Sequence, residues 1–452
     1  MGNLSTAYAD FVTGLKFQDL PPEVVGQAKK LILDLIGVAL AGQATMEFPR
    51  LVIDYVSQMG GKPEATVIGL GHKVPAANAA LANAASAHAL DMDDGHRFGA
   101  VHPGTVVIPA ALAAAELGGA GTRELIAGVV AGYEVMIRLA KAINPSSLNR
   151  GFHATGVTGP LGAAAAAALI LGLDRDQTVG AFGLAGLQGS GVLQVNHDSL
   201  GAKVKPINPA KAAQSGLLSA LLALKGARGP LMIFEGRDGF LQALSDQVQE
   251  EELRAGLGRV YEIMNTYLKL YAACRHAHAA VDAARSLWAG AGRRPEEIER
   301  ITVETYPAAI RLAGIAAPAT PSAARFSTQF AVALAVIAGG AGADRFTEEE
   351  VADQALQGLA GKVELVESNH WARLYPVQRG ATVTVTLRDG QKLSAQVALA
   401  KGEPENPADW EEIRAKFTAN SALALEPGRA EALAGTIDRL EEEPLSRLTG
   451  FL

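Results

Sequence analysis

Three histidines and three aspartates lie within residues 88–102, in a segment that is otherwise rich in alanine. Imidazole exchanges protons near neutral pH, so this acidic cluster suits acid–base catalysis. Carboxylates and imidazoles are also metal ligands, so a metal site is a second interpretation, and a solvated helix end is a third. The cluster comprises His88, Asp91, Asp93, Asp94, His96, Arg97 and His102, the last followed by Pro103 and Gly104.

Two further clusters each precede a helical pattern. His153 follows Gly151-Phe152 and stands just before a segment that we expect to be a loop followed by a buried helix, a position that favours anions. A structural histidine is the alternative there. Lys205 stands before Pro206, and Asn208 or Pro209 should open the next helix. Its cation would add to the helix dipole in holding a carboxylate, whereas surface lysines at a helix start are the alternative.

A fourth cluster extends from Lys269 to Asp282. If it is helical, Arg275 and His278 share a face, and Asp282 could orient His278 through an i, i+4 contact. Cys274 is expected to be a small buried residue, because no Cys/His/Asn pattern supports a nucleophile.

Composition narrows the class of protein. A net charge of −7 argues against nucleic acid or an anionic membrane as the main partner, although a few buried cations would suffice for a small anion. The single cysteine excludes an intrachain disulfide and an iron–sulfur cluster. Together with an N-terminus that does not resemble a signal peptide, it predicts a cytoplasmic protein.

The elements that must position these clusters are mostly helical up to about residue 265. Apolar spacing after Pro21-Pro22 predicts a helix, and alanine-rich stretches follow at 76–90, 108–117, 161–172 and 210–225. The alternation at 299–305 predicts a strand, and 381–399 predicts a hairpin turning at Asp389-Gly390. The chain becomes helical again from about residue 403.

These patterns predict a mainly α protein. A large all-helical domain is built from both chain ends, residues 1–266 and 401–452, and a smaller α+β lid domain is inserted at 267–400. A cleft between two such domains is a common place for a ligand site.

The clusters, in this order, resemble the MmgE/PrpD family over nearly the whole chain. No single piece is decisive, but the ordered set is specific. It comprises the helical start at 28–42, residues 90–94 with His102-Pro103, Gly151-Phe152-His153 before 162–165, Lys205-Pro206 with Ala212-Ala213 and Gly216, the segment 269–282, Ala324-Arg325-Phe326-Ser327, Lys401-Gly402 with Pro404 and Asn406-Pro407, and Lys416-Phe417.

The resemblance implies roles for individual residues. Asp91, His102 and His153 would carry the acid–base chemistry, with Asp91 orienting a histidine or acting as a base itself. In relatives, the matching residues line the pocket between the helical domain and the lid. The family enzymes need no metal or organic cofactor, and they resemble homodimers. The expected substrate-binding residues are Arg97, Lys205, Lys269, Asp94, Cys274 and His278.

The chain also departs from the family pattern. Gly95 stands where the acidic motif of the family often has a threonine. Cys274 stands where one family member, cis-aconitate decarboxylase, has a pocket histidine. No tyrosine lies between Pro307 and Phe330, where the decarboxylase has one. These differences weaken the decarboxylase interpretation most. Arg97 adds a guanidinium suited to bidentate binding of a carboxylate.

We therefore expect a cofactor-independent lyase of the dehydratase or hydratase type, acting on a small carboxylate such as 2-methylcitrate. The alternative is an isomerase resembling iminodisuccinate epimerase, which needs the same proton abstraction. A decarboxylase and a non-catalytic carboxylate-binding or scaffold protein rank lower. A metal-dependent hydrolase using His88, Asp91, Asp93 and His96 ranks last.

Overall fold

The computed structural model describes residues 3–196, 201–289 and 292–452. Contacts divide the chain into two compact units. The first comprises Met1–Ala89, Asp93–Tyr267 and Trp410–Leu452, and the second comprises Leu90–Met92 and Leu268–Asp409. Asp91 of the acidic cluster, with its neighbours Leu90 and Met92, thus groups with a part of the chain that follows almost 180 positions later.

Helices dominate the described residues, so the predicted mainly α class is confirmed. In chain order the α-helices are α1 (Leu4–Gly14), α2 (Pro22–Thr45), α3 (Glu47–Met59), α4 (Ala76–His88), α5 (Gly104–Gly118), α6 (Thr122–Ile143), α7 (Ser146–Asn149), α8 (Ala154–Ile170), α9 (Arg175–Gly186), α10 (Gly201–Val204), α11 (Ile207–Leu224), α12 (Phe240–Leu244), α13 (Glu250–Arg254), α14 (His278–Trp288), α15 (Pro307–Ala313), α16 (Pro321–Ala324), α17 (Thr328–Ala338), α18 (Glu348–Ala352), α19 (Gln354–Ala360), α20 (Asn369–Leu374), α21 (Trp410–Ser421), α22 (Pro427–Asp438) and α23 (Leu445–Thr449).

The strands are few and short. They are β1 (Ala65–Thr66), β2 (Lys73–Val74), β3 (Gly95–His96), β4 (Thr266–Tyr267), β5 (Ile298–Thr305), β6 (Val363–Glu367), β7 (Ala381–Leu387) and β8 (Lys392–Val397). The first unit holds the antiparallel pairs β1–β2 and β3–β4, and β3 belongs to the acidic cluster.

In the first unit, small residues let helices approach one another closely. The alanine-rich helix α8 packs against α6 and α11. A Cβ atom at Gly162 of α8 would lie 2.9 Å from the carbonyl oxygen of Gly132 on α6, so the two backbones nearly touch there. The predicted loop and buried helix after Gly151 are confirmed by α8, which begins at Ala154 with His153 as its N-cap residue. This packing fixes the position of His153.

Helix α11 begins slightly earlier than predicted. Its first residue is Ile207, with Pro206 at the N-cap position, rather than Asn208 or Pro209. A proline just before or within the first turn is favourable, because its fixed backbone angle suits the helix start.

The second unit contains a four-stranded sheet in the order β6-β5-β7-β8. Strands β5 and β6 are parallel, whereas β5–β7 and β7–β8 are antiparallel. The predicted strand at 299–305 and the predicted hairpin at 381–399 are both confirmed. The hairpin turns at Gly390, whose positive φ of 86° is a conformation that glycine adopts readily. Helix α14 packs against β7, β8 and α17.

None of the helices among the described residues combines the length and the hydrophobicity that crossing a lipid bilayer requires.

Candidate active site

The first unit positions the His102 imidazole just before α5. The His102 amide donates to Thr155 Oγ1 at 3.0 Å, which ties this turn to the first turn of α8. Its Nδ1 atom lies 2.8 Å from the carbonyl oxygen of Asp94 and 3.2 Å from Asp93 Oδ2. The side chain is 15% exposed, so one edge of the ring remains accessible.

A second imidazole, His88, shares the same carboxylate. Its Nδ1 atom lies 2.9 Å from Asp93 Oδ2, and neither side chain is exposed. Burial lowers the pKa of His88 to about 4, with the nearby charge of Lys205 acting in the same direction. Burial acts to raise the pKa of Asp93, but electrostatic attraction to His88 and His102, together with their hydrogen bonds, holds it well below its usual range. Asp93 is therefore an ionised carboxylate between two imidazoles.

His153 and Lys205 lie close to this pair of histidines. The His153 ring centroid is 6.4 Å from that of His88, and His88 and His102 are 4.9 Å apart. The charge of Lys205 reaches the His88 ring. The structure thus brings together three of the residues that sequence analysis predicted for the site, His102, His153 and Lys205.

Asp94, expected to bind substrate, faces a different set of groups. Its Oδ2 atom accepts from Tyr133 Oη at 2.9 Å and its Oδ1 atom accepts from the Gly104 amide at 3.0 Å. Burial, with the charge of Asp93 adding to it, raises the pKa of Asp94 to about 8. This carboxyl group anchors the start of α5 to α6, a contact that the sequence pattern did not reveal.

Gly95 is explained by a tyrosine that sequence analysis missed. In the β3–β4 pair Gly95 lies opposite Tyr267, and a Cβ atom at Gly95 would collide with the phenol ring and hydroxyl. Any larger side chain at position 95 therefore competes with Tyr267 for the same space.

The next two residues, His96 and Arg97, contact Glu262 and Phe98. His96 Nε2 lies 3.4 Å from Glu262 Oε2, and burial lowers the His96 pKa. The Arg97 guanidinium lies over the Phe98 ring at 5.0 Å from its centroid, and Arg97 is 9% exposed.

In the second unit, Asp91 and Lys269 form a buried ion pair. Lys269 Nζ lies 3.0 Å from Asp91 Oδ2 and 2.6 Å from the Asp91 carbonyl oxygen. Asp91 has a φ of 52°, a left-handed conformation that aspartate tolerates better than most residues. Strained backbone of this kind is frequent at functional sites.

The predicted His278–Asp282 contact is wrong. Asp282 instead accepts a hydrogen bond from Tyr271 Oη at 2.5 Å and from the Lys401 amide at 2.7 Å. His278 Nδ1 lies 3.1 Å from Arg275 Nη1, so the expected shared face of these two residues is confirmed. Asp282 thus holds the backbone at Lys401, whereas the second ring nitrogen of His278, Nε2, lies 3.1 Å from the carbonyl oxygen of Ala273.

Cys274 is buried, as the sequence predicted. Two residues on, His276 and Tyr306 form a pair that sequence analysis missed. His276 Nδ1 lies 2.5 Å from Tyr306 Oη. Tyr306 immediately precedes Pro307, where the segment without a tyrosine begins, and it stacks on Tyr375 at 4.6 Å between centroids. Burial, with the charge of Arg379 adding to it, lowers the His276 pKa to about 3, so this imidazole is neutral.

A metal ion would find ligands in a different set from the predicted one. Among the described residues, His88, Asp93 and His102 offer one ligand atom each within 4.8 Å of one another, and two imidazoles with a carboxylate are a familiar transition-metal set. His96, by contrast, is paired with Glu262, and Asp91 is paired with Lys269.

Comparison with known proteins covers both units. The MmgE/PrpD N-terminal domain matches residues 6–252, and the MmgE/PrpD C-terminal domain matches residues 271–442. The cis-aconitate decarboxylase-like protein oryM of Aspergillus oryzae is 28% identical over 97% of this chain and 95% of its own length. Cis-aconitate decarboxylase of Homo sapiens is 26% identical over 100% of this chain and 94% of its own length. The 2-methylcitrate dehydratase of Cupriavidus necator is 30% identical over 62% of this chain and 61% of its own length.

These relatives are enzymes named for reactions of small polycarboxylates. Buried imidazoles and ion pairs are suited to such reactions. The two domain matches together span most of the sequence. The chain belongs to the MmgE/PrpD family, as its ordered motifs predicted.

Proposed function

We propose that this protein is a cofactor-independent lyase that breaks a bond next to a carboxylate of a small di- or tricarboxylic acid. The observation that carries the proposal is the His102 imidazole. Its Nδ1 atom is held by Asp93 and the Asp94 carbonyl. Of the two imidazoles that contact Asp93, that of His102 is more exposed than that of His88. An imidazole held in this way is a general base or acid near neutral pH.

The primary reaction is dehydration of a hydroxy-polycarboxylate of the 2-methylcitrate type. His102 Nε2 takes the proton from the carbon next to a carboxylate, and the electron pair of that C–H bond forms the C=C bond. The C–O bond on the adjacent carbon breaks, and His153 gives the departing oxygen a proton, so that water leaves. Asp91 serves as the further acid–base group.

Fixed cations stabilise the enolate-like charge that develops during proton abstraction. Lys205, Lys269 and Arg97 are assigned this role, together with binding the carboxylates of the substrate. Charged donors held in place in a water-poor site stabilise a transition state more than they would in water. Asp94, Cys274 and His278 are the further residues proposed to shape substrate binding.

Decarboxylation is the second candidate, because the relatives that match the chain over nearly its full length are named cis-aconitate decarboxylases. In that reaction the bond from carbon to a carboxylate breaks and carbon dioxide leaves. The electron pair remains on the substrate and takes a proton from an imidazolium. The same histidines take part, but the reacting group is an imidazolium that donates a proton instead of an imidazole that accepts one.

Proton NMR of the chelator-treated protein in D2O tests the proposal, with a panel of 2-methylcitrate, citrate, cis-aconitate and amino-dicarboxylates. A vinyl signal that appears or disappears with water addition or loss supports dehydration. Release of carbon dioxide with deuterium entering the product supports decarboxylation. Deuterium entering an α-carbon without net product indicates an isomerase instead, and no reaction or exchange with any member contradicts the catalytic proposal.

A further inference from the structure

The first unit holds one carboxylate oxygen between two imidazoles. Asp93 Oδ2 lies 2.9 Å from His88 Nδ1 and 3.2 Å from His102 Nδ1. An ionised carboxylate only accepts hydrogen bonds, so each Nδ1 atom has to carry a proton and donate it. The structure therefore defines the tautomer of both rings.

A backbone carbonyl favours the same Nδ1–H tautomer of His102. Its Nδ1 atom lies 2.8 Å from the Asp94 carbonyl oxygen, which is also only an acceptor. With the proton on Nδ1, the Nε2 atom of His102 carries the lone pair. The His102 side chain is 15% exposed, whereas His88 is fully enclosed. Of the two rings, His102 is the one that can present its Nε2 to a substrate.

His88 acts on His102 through Asp93. A buried carboxylate needs donors to stay ionised, and His88 provides one that never reaches solvent. The hydrogen bond from His88 Nδ1 occupies one side of Asp93 Oδ2 at 2.9 Å. Asp93 then remains available to stabilise the imidazolium that forms whenever His102 takes up a proton.

We propose that Asp93 and His88 are positioning residues, which hold His102 as its Nδ1–H tautomer so that Nε2 is the atom that transfers the proton. This inference rests on the proposed function for the identity of the reacting group, but the tautomer itself is a property of the free protein. His88 and His102 would have to lose their Nδ1 protons to bind a metal ion through those atoms, so the two arrangements are mutually exclusive.

Long-range 1H–15N correlation NMR of protein labelled with 15N-histidine measures the tautomer directly. The chain has nine histidines, and comparison with a His102→Gln variant assigns the relevant signals. In the chelator-treated parent protein at neutral pH, His102 is expected as the Nδ1–H form. An Nε2–H form in the parent would overturn the proposal, and this result does not depend on the folding of any variant.

Asp93→Asn is the matched perturbation, because the amide keeps the size of the carboxyl group but adds a donor. The new amide donor competes with the Asp94 carbonyl oxygen for His102 Nδ1, so the variant is expected to populate the Nε2–H form of His102 in part and to lower kcat by about 100- to 10,000-fold, with a much smaller change in KM. Asp94→Asn is the control, since its side chain contacts Tyr133 and Gly104 instead of an imidazole, and the His102 tautomer should not change.

The remaining outcomes are also decisive. An unchanged His102 tautomer in folded Asp93→Asn overturns the positioning role of Asp93 even if the enzyme is active, because the Asp94 carbonyl alone would then set the tautomer. Histidine signals that shift when a divalent metal is removed from the purified protein overturn the positioning role in favour of a metal site. If the tautomer depends on Asp93 as expected but no carboxylate in the panel reacts, the positioning role stands and the proposed function fails.

Discussion

The ammonium of Lys269 lies 2.6 Å from the carbonyl oxygen and 3.0 Å from the Oδ2 atom of Asp91, a residue 178 positions earlier in the chain. Lys269 is 1% exposed. A substrate carboxylate that binds this cation therefore has to share it with Asp91. The pair also holds Asp91 in its left-handed backbone conformation.

Breaking the Asp91–Lys269 ion pair should destabilise the folded protein. Lys269→Met keeps the length of the side chain but leaves the Asp91 carboxylate buried without its cation, which is expected to lower the free energy of unfolding by about 3–5 kcal/mol. Thermal denaturation measures the loss. In the double variant with Asp91→Asn the total should be smaller than the sum of the single effects, because both remove one interaction. Strict additivity would show that the pair is not formed.

Replacing the histidines of the first unit should affect catalysis more than stability. His102→Gln and His153→Ala are each expected to lower kcat by about 100- to 10,000-fold, since each removes one proton-transfer group. His72→Gln is the matched control, because that ring lies on the surface beside Ser57 Oγ at 3.1 Å. Steady-state kinetics with equal Tm values among the variants would isolate the chemical effect. Similar rates for all three would contradict the assigned roles.

The elements of the fold were readable from the sequence where a periodic pattern covers several turns. This holds for the apolar spacing after Pro21, for the alanine-rich stretches and for the alternation in β5 and β7. In each case the pattern marks the side chains that are buried in a core, and the structure has the predicted helix or strand there. The residues that build the site were identified by type, but their partners were not. Lys269 pairs with a residue on a distant segment, and Asp94 pairs with Tyr133 on α6, contacts that only tertiary packing creates.

The His278–Asp282 prediction failed for a related reason. An i, i+4 spacing places two side chains on one helix face, but either side chain can find a better partner elsewhere. Asp282 accepts from the Lys401 amide and from Tyr271 Oη. The His276–Tyr306 pair was missed because Tyr306 lies outside the cluster of residues 269–282 that contains His276, although the two are hydrogen-bonded in the structure.

The steric relationship between Gly95 and Tyr267 predicts a position-specific effect of a single methyl group. Gly95→Ala should destabilise the protein by about 1–3 kcal/mol, because the new Cβ meets the tyrosine ring. Gly26→Ala, within α2 and with no atom near its added Cβ, is expected to be neutral or to stabilise by about 0.5–1 kcal/mol. Recovery of Tm in Gly95→Ala/Tyr267→Leu would locate the clash. Equal effects of the two alanine substitutions would contradict it.

The raised pKa of Asp94 predicts how stability depends on pH. Burial raises this pKa to about 8, whereas the unfolded value is about 4. Between these values the folded protein holds a proton that the unfolded chain has released, so stability falls as the pH rises. Asp94→Asn replaces the protonated carboxyl with a neutral amide and removes this contribution. Its Tm should decrease less than that of the parent between about pH 5 and pH 8; parallel Tm profiles would show that Asp94 does not titrate in this way.

The most direct test of the account is deuterium transfer at a carbon next to a carboxylate, followed by NMR in D2O after exhaustive removal of metal ions. The parent protein is expected to react with at least one polycarboxylate of the panel without added metal or organic cofactor. The His102→Gln variant, folded to the same Tm, should lose this transfer by at least about 100-fold. Equal transfer by the parent and the variant, or activity that returns only when a metal ion is added back, would contradict proton transfer by His102.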